Sequence, residues 1–568
     1  MSLPACPGPC GLPDALSGGL PQHDDSRRRH SRLDGEAVSD GRDGGPAALV
    51  PALSELARAA RDGLAFLRAQ PGVREVEVFV SENRTLLTRL NYTSHIPCNG
   101  VEEPKSAEMY GVGIQVAFDS PEGVLIGFGS EPSDLSTAGM RRAFDKARQG
   151  AVRDPEFRSL PRPGGAARAL FDYHDPALLT ISDAQLVESG WKVLQGGLRA
   201  FLASGSLADL AGSEAELRGL GLILGGDVTI VQESMAIASS QMPEPQTDVS
   251  TPMMGFVTAM VESREAKGSG WSTGTRLDHF TDEAGVEAAQ RAIEAIGGER
   301  IPSGDYTVIF GRQPVADLMN NLVVPSCQAG SFYASSTPFL GKLGKPVASP
   351  RLSIYDHGAM PGFMGSKGIT CEGLPTGRTD LIRDGVLTGA LTNWYDAQRL
   401  LHDPGLAEKL GVDAMAAAPA LVARNGFRYT GAGGRAFDTS PETAASNVIV
   451  EGSDPVALDE LIKSVRDGLY VGRIWYTYPI NGLRAGDFTC TVVGDSFTIR
   501  DGRIASPLKA NSVRINDNIT RLLTHIAGIT KDQRGTLVWG VDEVVYTPEI
   551  AVTGVHVDAI AGFMEATD

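Results

Sequence analysis

The sequence predicts an α+β protein, with an N-terminal α/β region on a mixed sheet followed by a β-rich C-terminal domain. Three observations carry this. Apolar residues fall at helical spacing in some stretches and alternate in others. Before residue 160 the order runs helix, strand, strand, strand, helix, so both element types share one region. Beyond residue 304, short alternating runs are divided by Gly, Pro and Asp turns, and 67 glycines in 568 residues suit a chain rich in tight turns.

Residues 1–45 are rich in Pro, Gly, Ser, Asp and Arg and poor in aromatic and β-branched residues, the composition of a disordered extension. Its basic run, Arg27-Arg28-Arg29-His30, is offset by Asp24, Asp25, Asp34 and Glu36 and reads as a solvated tail. Three regions follow, at 46–160, 161–300 and 301–568. Leu53, Leu56, Ala60, Leu64 and Leu67 mark a helix that Pro71-Gly72 stops. Val73–Val80 alternates as a strand, and Gly111–Phe118 with Gly123–Gly129 reads as a hairpin. Asp134-Leu135-Ser136 then introduces a helix over Thr137–Arg153. A helix is predicted over 184–204, several antiparallel strands over 209–273, and a further helix over 282–296. Tyr306–Phe310 opens the last region as a strand. Arg383-Asp384-Gly385 and Arg500-Asp501-Gly502 are its clearest turns, the second a hairpin by its Asp-Gly pair.

The formal net charge is −18. Such a balance argues against a nucleic-acid partner, whose phosphates call for a basic patch. The six cysteines, at 6, 10, 98, 327, 371 and 490, form no CxxC pair, so neither a disulfide framework nor a structural zinc site is expected. The N-terminus lacks the basic and apolar segments of a signal peptide, and no apolar run reaches the ~18 residues of a membrane span. A cytoplasmic protein is the expectation, in which the sequon Asn91-Tyr92-Thr93 carries no meaning.

The stretch from Gly304 to Leu391 is chemically the most informative. It opens GDYTVIFGRQPVADLMNNLVVPSCQAGS, a strand, a short turn and an amphipathic helix. It continues through FLGKLGKPVASPRLSIYDHG to CEGLPTGRTDLIRDGVLTGAL. Four further segments keep a characteristic order around it: GFGSEPSDLSTAGMRRAFDKA, DPEFRSLPRP, SNVIVEGSDPVALDELIKSVRDGLYVGRIW and GDFTCTVVGDSFTIRDGRIASPLKANSVRIND. In these segments, from about residue 50 to 556, the chain resembles the TldD/PmbA family, described as modulators of DNA gyrase and associated with zinc-dependent proteolysis. The resemblance implies a barrel-like C-terminal domain.

It also implies a choice between two kinds of subunit. TldD-like chains carry HExxxH on the helix after the first strand of that domain, where His and Glu with a further ligand can hold a metal and activate water. PmbA-like chains, also called TldE, lack the motif and pair with a TldD-like chain. Laid on this sequence, the motif's three positions fall on Asn320, Asn321 and Pro325, none of which supplies an imidazole or carboxylate. Pro325 is also expected to end the helix early. TldD-like chains have a Cys close to the C-terminus, whereas here none follows Cys490. The resemblance therefore implies a non-zinc-binding TldE/PmbA-like subunit. No cofactor is expected in this chain, zinc is expected in a TldD-like partner, and the substrates are unfolded polypeptides or peptide precursors bound in extended form.

Other chemistry-bearing constellations occur along the chain. His357 beside Asp356, with Glu372 beside Cys371 and with Cys327, could form a non-standard metal site if their strands converge; shaping turns at Gly358 and Gly373 is the simpler role. Gly270-Trp271-Ser272-Thr273-Gly274 spells GxSxG, but no helix follows directly as a nucleophile elbow requires. The Gly-rich stretches 362–368 and 431–435 lack the phosphate-loop signature. Tyr470, Trp475, Tyr476 and Tyr478 are candidates to contact a peptide, with ordinary packing as the alternative. A metal-independent peptide-binding homodimer, a diverged peptidase with a non-standard metal site and regulation of a DNA enzyme remain alternative functions.

Overall fold

The computed structural model describes residues 51–90, 100–164, 170–429, 434–537 and 544–560. The expected N-terminal extension, Cys6, Cys10, Cys98, the sequon at 91–93 and residues 431–433 lie outside them.

The first helix, α1 (Leu53–Arg68), turns Leu56, Ala60 and Leu67 inward and ends where Pro71-Gly72 interrupts it. Strand β1 (Val73–Leu90) is twice as long as its alternation suggests. It pairs with β2 (Lys105–Phe118), which pairs with β3 (Leu125–Pro132). Helix α2 (Thr137–Gln149) begins at Ser136, whose hydroxyl accepts from the Gly139 amide, and stops at Gly150. Residues 152–153, expected in this helix, form the short strand β4 (Val152–Arg153) against β3.

A helical insert follows: α3 (Pro176–Leu179), α4 (Asp183–Leu202), α5 (Gly205–Ala211) and α6 (Glu214–Gly219). Residues 209–211 and 214–219, expected among strands, are thus helical. The strands β5 (Leu222–Ser239), β6 (Gln246–Ser250), β7 (Met253–Val261) and β8 (Ala266–Gly274) then join the first four in one eight-stranded sheet. Its path is β4-β3-β2-β1-β5-β7-β8, with β6 on β5, so one sheet draws strands from both sides of residue 160. Every pair is antiparallel, where a mixed sheet was expected, because successive hairpins build both halves and β5 returns against β1. Helix α7 (Glu283–Glu294) packs with α4 on this sheet.

The C-terminal strands follow in chain order. First come β9 (Gly304–Phe310), β10 (Leu352–His357), β11 (Arg378–Arg383), β12 (Val386–Leu387), β13 (Gly426–Phe427), β14 (Glu442–Thr443) and β15 (Asn447–Gly452). Then come β16 (Gly468–Pro479), β17 (Asp487–Arg500), β18 (Arg503–Pro507), β19 (Val513–Asn518), β20 (Ile526–Ile529), β21 (Arg534–Leu537), β22 (Val544–Thr547) and β23 (Ile550–Ala559). Strands β16, β9, β23, β19 and β17 pair in turn, and β17 pairs back onto β16, closing a five-stranded barrel. A ring of five cannot alternate throughout; the one parallel pair is β16 with β9. A second sheet runs β12-β11-β10-β15-β22-β21. Asp384-Gly385 and Asp501-Gly502 make the two tightest hairpins, all four residues with positive φ as a two-residue turn of this hand requires.

Strand β1 shows how the two halves of the chain meet. Val76, Val78 and Val80 pack beneath α1 and α2. The alternate residues Glu77, Phe79, Ser81 and Asn83 are equally buried, on the opposite face. There Phe79 shares a core with Cys371, Phe427 and Phe437 from the C-terminal region. Covering both faces explains why β1 carries acids in a buried strand.

Candidate functional site

Strand β9 ends at Phe310, and the Gly311 amide bonds the Val471 carbonyl before helix α8 (Arg312–Leu318) begins. The helix continues as a π-turn over Met319–Val323 and a last turn over Val324–Ser326. Pro325 has no N–H to donate and its ring crowds the preceding turn; the widened π segment directly before it relieves that conflict. The helix therefore runs through Pro325 to Ser326 instead of ending before it. Leu318, Met319, Leu322 and Val323 anchor it in the main C-terminal core with Ile354, Val448, Phe488 and Val552. Each such side chain contributes on the order of 1.5–3 kcal/mol through burial.

A polar row runs along the same helix. The Gln313 amide donates to Asp317 at 3.1 Å, and the Asn321 amide donates to the Asp317 carboxylate at 2.9 Å and its carbonyl at 3.0 Å. Gln313 also binds β16: it donates to the Ile474 carbonyl at 3.2 Å and accepts the Ile474 amide at 2.9 Å. One side-chain amide thus occupies both backbone groups of Ile474, as a neighbouring strand would. Burial pushes the Asp317 carboxyl up to about 6, against the pull of the Thr477 hydroxyl, Asn321 and Gln313. Burial likewise raises the Cys490 thiol, with Asp317 adding to the rise.

The zinc expected of a TldD-like chain does not fit these residues. Asn320 is buried, Asn321 is committed to Asp317, and Pro325 has no donor atom. Cys327 sits in the apolar core, and burial pushes its thiol up to about 12, far from the thiolate a metal needs. Among the described residues no three His, Cys, Asp or Glu side chains gather as a ligand set.

The aromatic candidates on β16 divide. Tyr470 is only 5% exposed; it packs on Phe497 and under Arg291, and is not part of an exposed face. Past the irregularity between Trp475 and Tyr478, Trp475, Tyr476 and Tyr478 are exposed, at 42%, 67% and 54%. Trp475 and Tyr476 stack at 5.7 Å, with the Arg473 guanidinium 5.5 Å from the indole. Thr477, between these exposed rings, faces Asp317. The exposed aromatics therefore flank the point where β16 meets the helix that carries Asn320 and Asn321.

The remaining sequence candidates have structural partners. Asp356 accepts from Asn425 at 2.7 Å and from the Ser446 amide and hydroxyl at 2.7 and 2.9 Å. His357 accepts the Ala359 amide at 3.2 Å. Glu372 receives the Trp394 amide on both carboxylate oxygens at 3.0 Å, at the start of helix Trp394–Leu401. A Cβ at Gly426 would come within 2.0 Å of that carboxylate, so only glycine fits there. Burial pushes Glu372 up to about 8. Ser272 accepts the Ala284 amide at the head of α7, which accounts for it without nucleophilic chemistry.

One cluster escaped the sequence reading. Arg435 meets Asp248 at 2.7 Å and Glu233 at 3.1 Å, and Lys367 meets Glu233 at 2.8 Å; all four side chains are essentially inaccessible. Arg428 and Glu77 pair nearby at 2.7 Å. The acids stand on β1, β5 and β6, whereas the cations come from beyond residue 360. Three cations face three acids, and burial raises the carboxyl of Glu372 beside them to about 8. No local spacing could reveal this, because the partners are more than a hundred residues apart.

The C-terminal region is thus a five-stranded barrel with the helix Arg312–Ser326 packed at its side, and among the described residues no metal-ligand set gathers on that helix. Residues 303–559 match the PmbA/TldA metallopeptidase C-terminal domain. Through that domain the chain is similar to the TldD/PmbA family. A metalloprotease of Methanothermobacter thermautotrophicus is 26% identical over 259 residues, 44% of this chain and 49% of that protein. Metalloprotease PmbA of Escherichia coli O157:H7 is 31% identical over 116 residues, 20% of this chain and 26% of that protein. The chain spans about half the length, or less, of the curated relatives it matches. In fold it is similar to TldE from Thermococcus kodakarensis, with a TM-score of 0.67 and 18% identity over 89% of this chain and 100% of that one. Among the described residues no helix is long and apolar enough to cross a membrane.

Proposed function

We propose that this chain is the TldE/PmbA-like, non-zinc-binding subunit of a two-component peptidase that degrades or processes unfolded polypeptides or peptide precursors. A TldD-like partner supplies the zinc and the base that activates water. The observation that carries the reading is the commitment of Asn321 to Asp317, on a helix whose other two motif positions are a buried Asn320 and Pro325. This chain's own contribution is to hold substrate. Trp475, Tyr476 and Tyr478 offer flat apolar surface beside that helix, and an extended peptide presents backbone groups and side chains in a form such a surface can grip. The net charge of −18 supports a peptide rather than a nucleic-acid partner. Co-expression with a TldD-like protein, followed by a peptide-cleavage assay on each chain and on the pair, tests the reading. Cleavage by the pair alone supports it, and chelator-sensitive cleavage by this chain in isolation overturns it.

A further inference from the structure

A second surface lies on the edge of the other sheet. A groove of about 500 Å³ runs beside β11 and the segment 412–424. Its floor is apolar, made by the accessible side chains of Val412, Pro419 and Val422, the last 43% exposed, over the buried Leu343 and Leu387. Its rim carries three guanidiniums, Arg378, Arg383 and Arg424, against the single carboxylate of Asp380. Asp380 serves two of them at once: Arg378 reaches one oxygen at 2.8 Å and Arg383 the other. Arg378 is further fixed by stacking on Tyr355, 3.6 Å from the ring centre, and Arg424 donates to the Arg378 carbonyl at 2.6 Å. The guanidiniums are thus held in place along one strand edge, with Arg378 44% and Arg383 58% exposed.

A cationic excess beside an apolar floor is unusual on a chain of net charge −18. We infer that this groove docks an extended acidic segment of a partner polypeptide, its carboxylates on Arg378, Arg383 and Arg424 and an apolar side chain on the floor at Val412 and Val422. Pre-positioned guanidiniums suit this occupant, because each can take a carboxylate with two parallel N–H bonds and little further ordering. The apolar floor supplies the affinity that exposed ion pairs alone do not. The groove is made by residues other than the β16 aromatics, so it stands independently of the peptidase reading.

The probe is a fluorescein-labelled octapeptide of alternating glutamate and leucine, titrated with the full chain and followed by anisotropy. A lysine–leucine octapeptide is the control. Saturable binding of the acidic probe is expected, weakened roughly tenfold by Arg383→Glu and by Val422→Asp, each a rim or floor change at an exposed position. Unchanged thermal unfolding of both variants shows that they remain folded. No saturable binding, equal binding of the lysine peptide, or binding unaffected by both variants overturns the inference. Self-association of the wild-type chain that Arg383→Glu abolishes would assign the groove to a second copy, which also overturns it.

Discussion

The Asn321 side chain donates to the Asp317 carboxylate at 2.9 Å, one helical turn back along the chain. Asn321 is therefore part of an internal hydrogen-bond row. Asp317 accepts Gln313 as well, and Gln313 holds Ile474 of the barrel. Asp317→Leu removes the shared acceptor and leaves two amide donors without it. A loss of about 1–3 kcal/mol is expected, read as a lower urea midpoint with an unchanged slope. Asp317→Asn keeps an acceptor and is expected to cost less.

Glu372 gives a pH signature. Burial raises its carboxyl from 4.5 to about 8, so the folded state binds a proton that the unfolded state releases. The stability this provides is complete below about pH 4.5 and is lost as pH rises through about 8. Glu372→Gln removes the titration while keeping an oxygen for the Trp394 amide. The melting temperature of the variant relative to wild type should therefore climb between pH 5 and 8 and level off above, with a free-energy difference of a few kcal/mol at most. A difference that is flat with pH would contradict a neutral Glu372.

The Arg435 guanidinium is the centre of the buried ionic cluster. Arg435→Met takes the guanidinium from Asp248, which keeps the Tyr173 hydroxyl and the Gly368 amide but no cation, and leaves Lys367 as the cation paired with Glu233. Removing one partner of a buried pair costs on the order of 3–5 kcal/mol, so a large fall in thermal stability is expected. Arg435→Lys keeps the charge without the planar fork and should recover part of it.

Tyr476 is exposed and holds a φ of 57°, a conformation that costs a side chain of this kind and that glycine adopts freely. Tyr476→Gly is expected to leave stability within about 0.5 kcal/mol of wild type or raise it slightly. In the assembled pair it should raise the KM for peptide with little change in kcat, as loss of a substrate-holding contact does.

Local signals in the sequence were sufficient for α1, for β9 and for the Asp-Gly hairpins at 384–385 and 501–502, because each depends on neighbours along the chain. What the sequence hid depends on distant partners. Strand β1 extends to Leu90 because its polar half pairs with β5 and meets the C-terminal region, which its own alternation does not record. Tyr470 and Trp475 look alike in sequence, yet the barrel turns one inward and the irregular end of β16 turns the other out. Lys367 lay in a Gly-rich stretch that reads as a loop, and only its contact with Glu233 shows why a lysine stands there.

In the proposed arrangement chemistry belongs to a TldD-like partner and substrate holding to this chain. The most direct measurement is peptide cleavage by this chain, by a TldD-like chain and by the two co-purified, each with and without chelator. Chelator-sensitive cleavage is expected of the pair, abolished when the HExxxH glutamate of the TldD-like chain is changed, and none of this chain alone. Chelator-sensitive cleavage by this chain alone would contradict it.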